Sequence, residues 1–268
     1  MKNFSNEKLL VIAPHADDEV LGCGGLISKI KNDGGKVYVL IFNVGSVEKY
    51  DNRKFTGKRK NETKNGMKFE IGSSIKYMEK PSLKGSHQVQ NAGIALAAVN
   101  YLNENLPISN AEMQQGLKNI YWPARLQKLT TGPLIDPLPS QVELWLDGGH
   151  NQSATLAIAR TLIDWKANDP LITVHLIFGS LNNRDAIDLL TPFINIIQLI
   201  RTVSIPGQLN TADPNAVANI AISLGLNAAA APDINTAVTD IVTFTTGKRI
   251  IIVCGSLYLA GSILTDHS

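Results

Sequence analysis

Residues 9–42 read LLVIAPHADDEVLGCGGLISKIKNDGGKVYVLIF and contain one complete structural pattern. A short apolar run at 9–13 precedes a polar loop, apolar residues at helical spacing over 20–30, a glycine pair, and a second apolar run at 37–42. Apolar runs of strand length on either side of a helical pattern are typical of a β-α-β unit. The sequence therefore predicts two parallel strands joined by a helix, with functional groups in the loop after the first strand.

That loop, Pro-His-Ala-Asp-Asp-Glu, concentrates charge. His15 and the three carboxylates of Asp17, Asp18 and Glu19 lie within five positions. Adjacent carboxylates repel each other unless a cation or hydrogen-bond donors lie nearby, so a divalent metal explains them economically. The glycines that follow do not match GxGxxG, which argues against phosphate binding by this loop.

The motif Pro-His-x-Asp-Asp-Glu, followed by Leu-Gly-x-Gly-Gly, resembles the start of the LmbE-like (PIG-L type) zinc deacetylases, over residues 1–69. The resemblance implies that His15 and Asp18 are zinc ligands and that Asp17 is the general base. Zinc lowers the pKa of its bound water, and a carboxylate can take the proton as the hydroxide attacks an N-acetyl carbonyl.

Other features of that family have weaker counterparts. The family uses a third ligand, a histidine from a later loop, and none of the remaining histidines lies in such a pattern. His175, within the apolar run LITVHLIF, is expected in the core. Arg59 and Glu62 lie where the family has an Arg-x-x-Glu helix, although a surface ion pair explains them equally.

Composition excludes several classes of protein. The chain has 268 residues, 44% hydrophobic and 18% charged, which is typical of a folded globular protein. No apolar run approaches the roughly 18 residues that span a bilayer, and the start does not resemble a signal peptide, so we expect a cytoplasmic protein without membrane partners.

Cys23 and Cys254 are isolated and expected to be buried. The basic stretch 54–68 lacks aromatic platforms and is expected to be solvated, without a nucleic-acid partner.

The charge is unevenly distributed. Residues 1–83 hold 15 Lys and Arg against 10 Asp and Glu, whereas residues 84–268 hold 10 against 13. Two alanines occur before residue 84 and 21 after it. Two differently composed parts meet near residues 69–83. We therefore expect a partial deacetylase-like segment at 1–69, a junction at 70–110 and a separate domain at 111–268.

The second part alternates alanine-rich helices with short β-branched runs. Helices are expected at 87–102, 110–120, 153–165 and 214–224, and strands at 142–146, 173–178 and 249–254. This alternation predicts a layered α/β sheet.

Polar residues interrupt this pattern where packing does not explain them: Asn91, Arg125, Asp147, His150 and Ser256. Strand ends are where α/β proteins place ligand sites. A helix cap or a turn equally explains Asp147, and a surface amide equally explains Asn91.

Four stretches in order, LKGSHQVQNAGIALAAV, GLKNIYWPARLQ, ELWLDGGHNQSA and IIIVCGSLYLAGSIL, resemble the carboxyl-terminal part of folylpolyglutamate synthase/dihydrofolate synthase, of the Mur ligase family. The resemblance covers about residues 83–264. It implies a Mur-ligase-type C-terminal Rossmann-like domain, preceded here by the partial Rossmann-like β-α-β unit.

Small-molecule substrates follow from the same resemblance: folate, glutamate, and ATP with magnesium. It implies that Asn91 contacts adenine, Asp147 the ribose hydroxyls and Arg125 the phosphates, and that His150 and Ser256 hold the incoming glutamate. Arg184 lies where the family carries an Asp-Lys-Asp run.

Three hypotheses about function remain. In the ligase family, glutamate attacks a folate acyl phosphate, whose formation needs a glycine-rich phosphate loop that the sequence lacks. The prediction is therefore a folate-glutamate ligase by family, inactive in this form. The alternatives are a zinc-dependent N-acyl-sugar deacetylase and a non-catalytic fusion of two gene fragments. Enzymatic activity and oligomeric state stay open.

Overall fold

The chain forms two compact units. The computed structural model describes residue 5 and residues 8–13, 26–41, 62–63, 66–71, 74–101 and 107–266. The N-terminal unit comprises 1–81 and 89–119, and the C-terminal unit comprises 82–88 and 120–268. The boundaries that the sequence suggests at residues 69 and 110 stay a prediction.

The N-terminal unit contains the β-α-β pattern. Strand β1 (Lys8–Ala13) pairs in parallel with β2 (Lys36–Ile41), and helix α1 covers residues 26–32 between them. Gly34 follows this helix with a φ of +86°, a left-handed conformation that glycine adopts without strain. The parallel pair joined by a helix is confirmed.

A three-stranded antiparallel sheet follows, which the sequence did not predict: β3 (Glu62–Thr63), β4 (Gly66–Ile71) and β5 (Ser74–Met78). Glu62 therefore lies on a strand, which corrects its expected position on a helix with Arg59, a residue outside those described. Met67 and Phe69 are buried while Lys68 between them is half-exposed. Such alternation is typical of a half-buried strand. The charged residues of β4 interrupt its apolar positions, so the sequence contains no continuous apolar run there.

Two helices close this part of the chain, α2 (Ser86–Tyr101) and α3 (Asn110–Lys118), near their predicted positions. Ser109 begins α3 with a capping box. Its Oγ accepts from the Glu112 amide at 3.3 Å, and the Glu112 carboxylate accepts from the Ser109 amide at 2.7 Å.

Six strands form the central sheet of the C-terminal unit, in the order β10-β9-β8-β11-β7-β6. They are β6 (Gln127–Lys128), β7 (Val142–Leu146), β8 (Thr173–Phe178), β9 (Leu199–Thr202), β10 (Ala228–Ala230) and β11 (Arg249–Cys254). Strands β7 to β11 are parallel, and β6 is antiparallel at the edge. The predicted α/β sheet is confirmed, and β7, β8 and β11 have the predicted bounds.

Five helices flank these strands: α4 (Gln152–Asn168), α5 (Ala186–Leu190), α6 (Pro214–Ser223), α7 (Ile234–Phe244) and α8 (Leu257–Asp266). All six residues of β11 are buried, as expected for a parallel strand covered on both faces. His175 and Cys254 lie in this core at 0% and 1% exposure, which confirms their predicted burial, whereas Cys23 lies outside the described residues. Of the helices described, none has the length and apolarity to cross a membrane.

Candidate functional site

Asp147 directly follows β7 at the carboxyl edge of the sheet and is 4% exposed. Its Oδ2 accepts from the Leu126 amide at 2.8 Å and its Oδ1 from the Gly149 amide at 2.7 Å. Burial raises the pKa of the carboxyl, while the two amides and the charges of Arg125 and His150 act in the opposite direction. The bond to Gly149 is an Asx turn, and the bond to Leu126 ties a separate loop to the strand.

That loop presents Arg125 between two residues with left-handed backbone, Ala124 (φ +53°) and Leu126 (φ +42°). Such conformations cost about 1–3 kcal/mol each outside glycine and persist where the surroundings enforce them. Besides the bond from Leu126 to Asp147, Gly148 N donates to Ala124 O at 2.8 Å. The Arg125 side chain is exposed, and within the described part of the chain its guanidinium makes no hydrogen bond or ion pair. The loop therefore holds an unpaired cation at the carboxyl edge.

His150 lies in the turn between Asp147 and α4. Its Nδ1 is 2.9 Å from Gly148 O. Because a carbonyl only accepts, Nδ1 carries the hydrogen, and Nε2 of the neutral ring is an acceptor. Asn151 caps α4, since its Oδ1 accepts from the Ala154 amide at 2.9 Å. The helix cap that the sequence left open for Asp147 therefore belongs to Asn151.

The end of β11 joins the same edge. Gly255 N donates to Gly149 O at 2.9 Å. Gly255 has a φ of +111°, and a Cβ there would lie 2.5 Å from Gly179 O, so both conformation and space require glycine. Ser256 is 2% exposed, and its Oγ accepts from the Tyr258 amide at 3.1 Å at the start of α8.

Ser180 at the end of β8 is a polar residue that the sequence did not single out. It is 2% exposed, and its Oγ has no hydrogen-bond partner among the residues that the structure describes. A buried unpaired hydroxyl is rare and needs an explanation. The sequence contains a signal for Ser180, because Gly179-Ser180 follows β8 in the same way that Gly255-Ser256 follows β11.

His87 also belongs to the C-terminal unit and was not predicted there. Burial and the charge of Arg125 lower the pKa of its imidazole, which keeps it neutral beside that guanidinium. Its Nε2 lies 3.0 Å from Gln88 Nε2. His87 precedes Arg125 by 38 positions, so only the fold reveals their proximity.

The structure thus brings Arg125, Asp147, His150 and Ser256 to one edge through backbone hydrogen bonds among three segments. Asn91 is exposed on α2. Arg184 is exposed in the loop before α5.

The predicted metal ligands His15 and Asp18 and the predicted base Asp17 lie outside the described residues. Within the described ranges, no group of three or more His, Cys, Asp or Glu side chains could hold a metal ion. The candidate site that the described residues define is therefore the carboxyl edge of the sheet in the C-terminal unit.

An edge of parallel strands that carries an unpaired arginine, a buried carboxylate and a histidine defines an α/β unit with a candidate ligand site at that edge. Family comparisons are more specific. Residues 135–266 match the model of the dihydrofolate synthetase C-terminal domain, and residues 10–107 match that of the GlcNAc-PI de-N-acetylases. Both resemblances stated from the sequence are confirmed. The deacetylase match continues past residue 69, through α2.

Curated relatives agree with the C-terminal match. The chain is 26% identical to dihydrofolate synthetase of Saccharomyces cerevisiae over 199 residues, covering 71% of this chain and 46% of the relative. It is 30% identical to dihydrofolate synthase/folylpolyglutamate synthase of Bacillus subtilis over 125 residues, covering 46% and 25%. The chain therefore spans less than half the length of these relatives.

Solved structures share the fold. The bifunctional folylpolyglutamate synthase/dihydrofolate synthase of Yersinia pestis, complexed with AMPPNP and Mn ion, matches with a TM-score of 0.63 at 19% identity, over 90% of this chain and 51% of that one. Folylpolyglutamate synthase of Mycobacterium tuberculosis, complexed with ADP and AMPPCP, matches with a TM-score of 0.61 at 17% identity, over 96% and 54%. The Mur-ligase-type fold of the C-terminal unit is thereby established.

Proposed function

We propose that the C-terminal unit binds ATP with magnesium at the carboxyl edge of its sheet, as the nucleotide-binding part of a folate-glutamate ligase. The observation that carries this proposal is the exposed Arg125 guanidinium, unpaired among the described residues and presented by a strained loop that the buried Asp147 carboxylate holds. A planar guanidinium in that position is suited to phosphate oxygens.

Two further groups complete the nucleotide contacts in this proposal. A carboxylate has about four lone-pair positions, and Asp147 uses two for backbone amides, so the others can accept from ribose hydroxyls. The family resemblance also implies that the Asn91 amide contacts the adenine edge.

His150 and Ser256 are proposed to hold the incoming glutamate. When Nδ1 donates to Gly148 O, the Nε2 atom of the uncharged imidazole form is an acceptor for the ammonium group. The Ser256 Oγ accepts from the Tyr258 amide, which leaves its own hydrogen to donate to a carboxylate. Folate as the second substrate rests on the names of the relatives alone.

Binding, and not ligation, is the activity we propose for these 268 residues. They contain no GxxxxGK[ST] stretch to cradle the β- and γ-phosphates. Formation of an acyl phosphate depends on such positioning. The chain in this form is therefore proposed to bind the ligase substrates without completing the reaction.

Isothermal titration of the whole chain with ATP and magnesium tests the proposal. We expect saturable binding that Arg125→Gln weakens by about tenfold or more, the value of one charge-assisted contact to phosphate. Arg160→Gln, which removes an exposed arginine from α4, is the matched control and should leave the affinity unchanged. Absence of saturable heat, or equal effects of both variants, would refute nucleotide binding at this edge.

The match of residues 10–107 to the GlcNAc-PI de-N-acetylase model supports a second candidate, a zinc-dependent N-acyl-sugar deacetylase. In it His15 and Asp18 hold the zinc and Asp17 is the base. Acetate release from an N-acetylglucosamine conjugate with added zinc tests it, with His15→Ala expected to abolish release and His267→Ala to leave it unchanged. If neither ATP binding nor acetate release is found, a fusion of two gene fragments without catalysis is the remaining description.

A further inference from the structure

A polar cavity lies in the C-terminal unit, at the end of the sheet opposite Asp147, where β9 and β10 begin. Its volume is about 350 Å³. It is lined by six residues, none of them acidic: Gln198, Leu199, Arg201, Asn227, Phe244 and Thr245.

Arg201 supplies the charge of this cavity and is 7% exposed. Its Nε donates to Asp240 Oδ2 at 3.2 Å, and its Nη1 donates to Ile200 O at 3.1 Å. Its Nη2 makes no hydrogen bond to any described residue and is accessible to solvent. Since Arg201 lines the cavity, this free edge of the guanidinium offers two donors to an occupant.

The surrounding charges favour an anion. Arg249, at the start of β11, is 6% exposed and donates only to backbone carbonyls, those of Val242, Thr245 and Gly247. His175 lies near both arginines and is neutral at pH 7, because burial and their charges lower its pKa to about 4. Asp240 is the one carboxylate that pairs with these two arginines among the described residues, so two cations face one anion.

Phe244 adds an aromatic surface. Its side chain is 70% exposed although it lines the cavity, and the Arg201 Cζ lies 5.9 Å from the ring centroid. The ring of an aromatic ligand can stack on the exposed Phe244 ring. The Arg201 guanidinium makes a cation–π interaction with the same Phe244 ring.

We propose that this cavity binds a small anion that carries a planar aromatic ring. Its carboxylate or phosphate accepts from Arg201 Nη2, its ring stacks against Phe244, and the exposed amides of Gln198 and Asn227 bond to polar ring atoms. The volume lies at the lower end of the range for small-molecule sites. This site is separate from the proposed nucleotide site, because it lies where β9 and β10 begin, whereas Asp147 follows the end of β7 in the same parallel sheet.

Fluorescence titration of the whole chain with 2-naphthoate tests the proposal, with 2-naphthyl phosphate as the second anion. We expect saturable binding of at least one of the two. We also expect cyclohexanecarboxylate and inorganic phosphate, which lack the aromatic ring, to bind about tenfold more weakly or not at all. The stronger of the two naphthyl probes then identifies the anionic group.

Two variants test whether the probes bind in this cavity. Phe244→Leu removes an exposed ring at little cost to folding and should weaken binding by about fivefold or more. Arg201→Lys should weaken it further, because the ammonium loses the paired donors of the guanidinium. The matched controls are Tyr77→Leu, which removes a ring that is also 70% exposed, and Arg160→Lys, and both should leave the affinity unchanged. The proposal fails if neither naphthyl probe saturates, if ring-free anions bind as well, or if Phe244→Leu binds like Tyr77→Leu.

Discussion

Asp147 connects the candidate site to the stability of the fold, because one buried carboxylate satisfies two backbone amides. The Leu126 amide lies in a left-handed conformation, and the Gly149 amide begins the turn toward α4. Loss of either bond would leave a donor unpaired in a buried place. The Arg125 loop therefore depends on Asp147 even before any nucleotide binds.

For Asp147→Asn we predict a loss of about 2 kcal/mol in the free energy of unfolding, since the amide group offers only one acceptor oxygen to two N–H groups. Urea denaturation measures this loss, and faster hydrogen exchange at the Leu126 or Gly149 amide locates it. The exposed Asp164→Asn on α4 is the control, expected within about 0.5 kcal/mol of the original protein. Equal stability of the two variants would show that the carboxylate does not hold the loop.

His175 makes folding sensitive to acid. Its pKa is about 4 in the folded protein, lowered by burial and by Arg249 and Arg201, against an ordinary 6.5 in the unfolded chain. Between these pKa values the unfolded state binds more protons than the folded state. The free energy of unfolding therefore falls as the pH drops from 6.5 toward 4. We predict that the resulting loss in the free energy of unfolding reaches about 3 kcal/mol at pH 4.

Urea denaturation at pH 7 and pH 4.5 measures this effect. His175→Leu cannot titrate and should lose about 2 kcal/mol less stability over that interval than the original protein. Ile177→Leu on the same strand keeps the imidazole and should retain the original pH dependence. If His175→Leu and the original protein show parallel pH profiles, the imidazole is not held neutral by the fold.

At the scale of elements, the turn from β11 into α8 is the most constrained connection of the site. Gly255→Ala combines a φ of +111° with a Cβ that would lie 2.5 Å from Gly179 O. We predict a loss of at least about 2 kcal/mol, from backbone strain and from displacement of the β8 end.

Gly261→Ala provides the contrast within α8 itself. A Cβ there meets nothing within 4 Å, and alanine is the better helix former by about 1 kcal/mol. We therefore expect this variant to be as stable as the original protein or more so. Denaturation curves that show similar losses for both variants would contradict the constraint at Gly255.

For the whole molecule, the division into two units predicts two unfolding transitions. All three tryptophans, Trp122, Trp145 and Trp165, belong to the C-terminal unit, so their fluorescence reports that unit alone. Far-ultraviolet circular dichroism reports both units. The two signals should give different urea midpoints, because transitions that do not coincide indicate more than two states.

Added ATP and magnesium should shift the fluorescence transition to higher urea if the proposed nucleotide site is correct, because a ligand stabilises the unit that binds it. Arg125→Gln should remove this shift and Arg160→Gln should not. Coincident fluorescence and dichroism curves would show that the two units unfold as one.

Much of the fold was predictable from local patterns. Strands β7, β8 and β11 are mostly apolar because parallel strands at the centre of a sheet are largely buried on both faces, and their bounds agree with the sequence prediction. The β3-β4-β5 sheet was missed because Lys68 and Glu70 interrupt its apolar positions. Strand β10, Ala228–Ala230, was missed because three alanines carry no strand signal of their own.

The sequence by itself determined the α/β class, the two family resemblances and the strand ends that carry polar residues, since each depends on residues close together in the chain. Only the tertiary structure revealed that Asp147 holds the Leu126 amide 21 positions away, that His87 lies near Arg125, and that Arg201, Arg249 and His175 share one buried region. The physical reason is that hydrogen bonds and charge interactions depend on distance in space. The order of parallel strands brings together residues whose separation along the chain predicts no contact.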